Sequence, residues 1–352
     1  MRRGLISWSR AELPEAVLDG RVAALQAAMG QQGIDAIAVY TTPARAAGVS
    51  WLAGFVPYWN QGLLVVPAVG RPILVSALSN RVADWLQRNA HVAAVRNSPR
   101  IGAEAAAFVA TSKRKARIGI VDLAALPAPI IAEIEAAGHG VVDATELLAR
   151  LRRPADPADI ALHARAAMIA ARALTCDLGH TCDANEAIAR MEEAARAEGA
   201  EEVYPAVVAD LALNRRFVRI EGGAPLGAGF AVRLSVAYKG AWVRVTRTYD
   251  RSAGSAARLR VASETFAAAV ATLPDTRRLA ACCSWLVEAT LTTMPLEARA
   301  GGNVADSVAV DPGALVNVQA TIEVEGHAVL IGGPVLTGCN GGASSLLVAP
   351  PV

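Results

Sequence analysis

The stretch VRLSVAYKGAWVRVTRTYD, residues 232–250, has the rhythm of a strand pair, with arginines set where a strand would otherwise be apolar. Two of them, Arg233 and Arg244, stand eleven residues apart. Strand alternation sends every second side chain to one face, and an arginine turned inward from a buried strand is costly unless paired. Acidic side chains such as Asp210, Glu221 or Glu323 are candidates for the pairing. The alternative is an anionic ligand, a carboxylate or phosphate matched by the guanidinium fork.

Outward from this stretch toward the C-terminus, AARLRVASETFAAAVATL has helical apolar spacing and RLAACCSWLVEATLTTM is predicted to be helical too. ALVNVQATIEVEG, HAVLIGGPVL and SSLLVA read as strands. Upstream lie two alanine-rich helical patterns, ADIALHARAAMIAARALTCDL and DANEAIARMEEAARAEGA. LRRPADPADI (151–160), with its Asp-Pro pair, reads as an interdomain joint. Before the joint, helical and strand-length apolar patterns alternate: DGRVAALQAAMG then GIDAIAVY, a hairpin across AVGRP, then ARIGIVD and APIIAEIEAAG. The sequence thus predicts an α/β domain over 1–153 and an α+β domain over 154–352, helices packed on an antiparallel sheet.

Composition narrows the function classes. Of 352 residues, 53% are hydrophobic and 19% charged, which suits a packed globular protein. A formal net charge of +2, with no basic block longer than SKRKAR, excludes the footprint of a nucleic-acid binder. No apolar run has the length of a membrane span or a signal segment, so a cytoplasmic protein is expected. Five cysteines without CxxC spacing argue against a disulfide framework or a zinc knuckle.

The order of elements resembles the creatinase, prolidase and aminopeptidase P superfamily, whose catalytic domain has the pita-bread fold. WLAGFVPYWNQG (51–62) is similar to a segment of its N-terminal domain, DATELLARLRRPADPADIALHARAAMIAARAL to its hinge and first catalytic-domain helix, and RLSVAYKGAWVRVTRTYD to its two-strand signature. The resemblance implies five metal ligands in the metal-binding members: two aspartates, a histidine and two glutamates. Here the positions align with Arg233, Arg244, Gln319 and Gly332, and the stretch that should offer the histidine holds only Asn303. Arginine is permanently charged and ligates no cation, so neither a metal nor another cofactor is expected. Creatinase does without metal and uses a histidine, but the equivalent stretch, YPAVVADLALNRRFVRIEGG (204–223), has none.

What replaces the metal is then an arginine-lined pocket for a small carboxylate-bearing, amino-acid-like substrate. Arg219, Arg233 and Arg244 are the candidate anion ligands, Gln319 and Asn303 the orienting amides, and Tyr238, Glu323 and His327 the candidate proton carriers. His91, His139, His163 and His180 read as surface or capping residues. In relatives the N-terminal domain closes the site across a dimer, so a homodimer is implied, with Trp51, Phe55, Tyr58 and Trp59 as a candidate lid. Two functions stay open: a metal-independent hydrolase, lyase or cyclase, and a catalytically inactive pita-bread module that binds a peptide, a protein or a small anion.

Overall fold

The computed structural model describes residues 8–57, 60–178, 181–289, 310–339 and 342–349. They form two compact units, one ending at Arg152 and the other starting at Arg153.

The first unit runs α1 (Glu15–Gln32), β1 (Ala36–Thr41), α2 (Ala47–Ala53), β2 (Gly62–Pro67), β3 (Ile73–Ser76), α3 (Ala83–Asn89), β4 (Ala94–Asn97), α4 (Ile101–Ala110), β5 (Arg117–Val121), α5 (Ala128–Ala136), β6 (Gly140–Asp143) and α6 (Thr145–Arg152). Its mixed sheet has the order β4-β3-β2-β1-β5-β6. β1 and β2 read as continuous apolar runs because both sheet faces are covered, and two separate apolar clusters fill the two sides. Trp51 and Phe55 belong to one of these cores and are buried. The lid role expected of them is corrected accordingly; Tyr58 and Trp59 lie outside the described residues.

The second unit runs α7 (Pro157–Leu174), α8 (Ala184–Ala197), β7 (Glu202–Val208), β8 (Gly229–Tyr238), β9 (Ala241–Asp250), α9 (Ser255–Val270), β10 (Ser284–Ala289), β11 (Leu315–Val324), β12 (His327–Leu336) and the short β13 (Ser345–Leu346). α7 starts at a capping box in which Asp156 accepts from the Asp159 N–H. The sheet order is β10-β11-β12-β9-β8-β7. Lys239 and Gly240 join β8 to β9, and Glu325 and Gly326 join β11 to β12, all with positive φ, the two-residue turn whose twist suits a hairpin. The predicted helix over RLAACCSWLVEATLTTM is corrected: a 3-10 turn, Thr276–Ala281, leads into strand β10.

Helices cover one face of this sheet. α7 and α8 pack on Phe230, Val232, Leu234, Val236, Val243 and Val245, and α9 packs on alternate residues of β11 and β12. Alternation puts Arg233, Ser235, Arg244 and Thr246 on the opposite face, together with Asn317, Gln319 and Glu288. Between its halves the sheet narrows to one β9–β12 rung, Thr246 with Gly332. Beside it the Thr248 hydroxyl exchanges hydrogen bonds with the Leu330 backbone, and on the other side Asn317 Oδ1 accepts from the Arg244 N–H at 2.8 Å. Among the described residues no helix is long and apolar enough to cross a membrane.

Candidate functional site: an arginine cluster on the polar face

Register decides how the two arginines meet. Arg233 lies opposite Thr246 and Arg244 opposite Ser235, so the guanidinium groups rise from diagonal positions on one face. Their fates differ. Arg244 is 2% exposed and spans β12 and β11 to Glu288, which accepts from its Nη1 at 2.5 Å, while Ser235 Oγ accepts from its Nε at 3.1 Å. Glu288 is thus the acid that neutralises Arg244, in place of the Asp210, Glu221 or Glu323 that sequence offered. Arg244 is buried against Glu288 and Ser235 and lines neither of the cavities described below, unlike the ligand role expected of it.

Arg233 has no such partner. No carboxylate of the described residues forms an ion pair with it. Its guanidinium lies over the Phe217 ring, 4.8 Å from the centroid, and makes one long contact, 3.4 Å, to Gln319 Oε1. Burial first, and then the like charge of Arg244, push its pKa down to about 10, against the opposing pull of Glu288. Gln319 is fixed by its other end, where Nε2 donates to Glu288 at 3.4 Å. It leans over Gly332, where an added Cβ would lie 2.8 Å from Gln319 Cγ and 2.6 Å from the Val318 carbonyl oxygen.

A cavity of about 380 Å³ opens beside Arg233. Arg215, Arg216, Phe217, Thr246, Trp285 and Gln319 are among its walls. Arg215 is paired with Glu323 at the surface. Arg216 is exposed and forms no ion pair among the described residues. Thr246 is 1% exposed, and its hydroxyl finds no hydrogen-bond partner among the described residues.

The other sequence-derived candidates are scattered. Tyr238 points to the helix-covered face, where Arg165 lies over its ring. Arg219 is exposed and stacks over Tyr204, outside the cavity. Glu323 is held by Arg215. His327 lines a second cavity of about 460 Å³, which shares Arg215 and holds Asp210 and Asp250. Asn303 lies outside the described residues, as does His180. His91, His139 and His163 are buried rather than superficial, each hydrogen-bonded within the fold. Burial pushes the Cys176 and Cys282 thiols up, which disfavours the nucleophilic thiolate. Arg215 and Glu288 are the residues that sequence reasoning missed.

The residues on this face do not fit a pair of divalent cations. Two guanidinium groups stand there, the facing carboxylate already accepts from one of them, and Gly332 has no room for a side chain. Among the described residues no group of three or more His, Cys, Asp and Glu is disposed to hold a metal ion.

The two-unit architecture is shared with solved structures. The fold is that of an Xaa-Pro dipeptidase from Bacillus anthracis (TM-score 0.69, 17% identity, covering 94% of this chain and 97% of that one). It is also that of the dipeptidase PepE from Mycobacterium ulcerans (TM-score 0.65, 19% identity, 95% and 96%). The N-terminal domain of the FACT complex subunit SPT16 from chickpea shares it as well (TM-score 0.58, 12% identity, 96% and 98%). Residues 21–153 match the Creatinase/Prolidase N-terminal domain family. The second unit has the pita-bread fold of these structures. Comparison with curated proteins finds no match.

Proposed function

We propose that the polar face of the pita-bread domain binds a small carboxylate-bearing ligand at Arg233, in a chain that works without the metal ligands of its metal-binding relatives. The observation that carries this reading is a largely buried guanidinium with no carboxylate partner among the described residues, at the wall of a ligand-sized cavity. A ligand carboxylate supplies the missing charge and takes the remaining donors of the fork. The unpartnered Thr246 hydroxyl stands across the rung from it.

No Asp, Glu, His, Lys, Cys or Tyr lines this cavity among the described residues, so binding is better supported than chemistry. Catalysis is the second reading, favoured by the adjoining cavity in which His327 and Asp210 are candidate proton carriers. A metal-independent hydrolysis, elimination or cyclisation would then take a substrate that extends from Arg233 past the shared Arg215 to His327. A homodimer remains part of the proposal, and light scattering at micromolar concentration tests it.

A thermal-shift screen against small amino and keto acids tests the binding reading. Stabilisation of the wild type that is lost in Arg233→Ala supports it. No stabilisation by any acid, or an equal response from the variant, overturns it. Turnover of a bound acid that disappears in His327→Ala distinguishes the enzyme from the binding module.

A further inference from the structure

We propose that the ligand of this cavity is an aliphatic dicarboxylate, one carboxylate held by Arg233 and the other by Arg216. The inference rests on the carboxylate-binding reading above and adds the second charge and the spacer between the two.

Four guanidinium groups stand at or under this face, and the protein neutralises two. Glu288 takes Arg244 and Glu323 takes Arg215. Arg233 and Arg216 are left, both without a carboxylate partner among the described residues, and both line the same cavity. One monocarboxylate leaves one of these charges unmatched. A ligand with two separated negative groups matches both.

Geometry selects carboxylates over a compact dianion. The Arg233 guanidinium lies over the Phe217 ring, 4.8 Å from its centroid, and its donors act in the guanidinium plane, the arrangement that meets a planar carboxylate with two parallel bonds. Arg216 is exposed, while Arg233 is largely buried, so the two charges sit at different depths. Leu286 and Leu330 are among the walls and accept methylene groups, with Ser284, Thr246 and Thr321 beside them. At about 380 Å³ the cavity has room for such a chain.

Calorimetric titration with succinate, glutarate and adipate, each against the monocarboxylate of equal length, reads the second charge directly. The wild type is expected to favour at least one dicarboxylate by about tenfold, with a salt dependence that reflects the exposed Arg216. Arg216→Gln should bring the ratio of dicarboxylate to monocarboxylate affinity close to one. Arg233→Gln should abolish binding of both. Arg260→Gln, an exposed arginine on α9, controls for net charge and should leave all affinities alone. Equal affinity for both acids in the wild type overturns the dicarboxylate and leaves the carboxylate reading standing. Inorganic phosphate binding as tightly as the best dicarboxylate overturns it also. Binding of neither acid brings down both readings.

Discussion

Burial and the neighbouring Arg244 both oppose the charge on Arg233, whose pKa is pushed down from the ordinary arginine range to about 10. The unfolded chain therefore holds this proton more tightly than the folded one, and the folded state bears the full penalty at every pH below about 10. Replacing the charge removes the penalty. Arg233→Gln is expected to raise the stability of the ligand-free protein by about 1–3 kcal/mol near neutral pH. The gain should hold through the neutral range and shrink as pH rises above about 10, which urea denaturation at stepped pH measures. Glu288 gives the opposite result. Its loss strands Arg244, which is 2% exposed, and Glu288→Gln should cost about 3–5 kcal/mol in the same assay. Arg244→Met combined with Glu288→Leu should recover most of that, because the cost lies in the unpaired charge and not in the missing contact.

At the scale of elements, Gly332 on β12 has no room for a side chain. A methyl group there would lie 2.6 Å from the Val318 carbonyl oxygen, so Gly332→Ala must displace β11 or Gln319. A loss of about 1–3 kcal/mol in thermal or chemical denaturation is expected, with weaker carboxylate binding because Gln319 positions Arg233. The strand pair 232–250 was legible in the sequence because Lys239-Gly240 falls where a hairpin needs positive φ and apolar residues alternate on both sides. β10 was not. Short apolar runs fit helix and buried strand alike, and the flanking alanines of RLAACCSWLVEA tip the reading to helix. With that reading Glu288 leaves the sheet, and Arg244 loses its partner on paper. The alternation Ser284, Leu286, Glu288 was the available signal. Arg215 was missed for another reason: its place beside the cavity depends on the path of the β7–β8 connection, which no periodicity encodes.

For the whole molecule, each unit has its own large apolar cores, and among the described residues these are two in the first and two in the second. Residues 8–152 alone should therefore melt cooperatively, followed by circular dichroism. Elemental analysis of protein purified without chelator should find no stoichiometric manganese, zinc or iron, because the polar face already carries fixed cations. A stoichiometric metal at this face would overturn the reading of Arg233 and Arg244. The narrow junction within the second sheet has a consequence for amide hydrogen exchange. β7, β8 and β9 with α7 and α8 form one apolar cluster, and β10, β11 and β12 with α9 form another, joined at the Thr246–Gly332 rung with its flanking side-chain bonds, by the Arg244–Glu288 ion pair and by a small cluster of Val208, Ala231 and Leu330. The two blocks should open as separate cooperative units, with the junction amides exchanging ahead of either. A carboxylate caught between Arg233 on β8 and Gln319 on β11 bridges the blocks, so its saturation should slow exchange at the junction more than inside them.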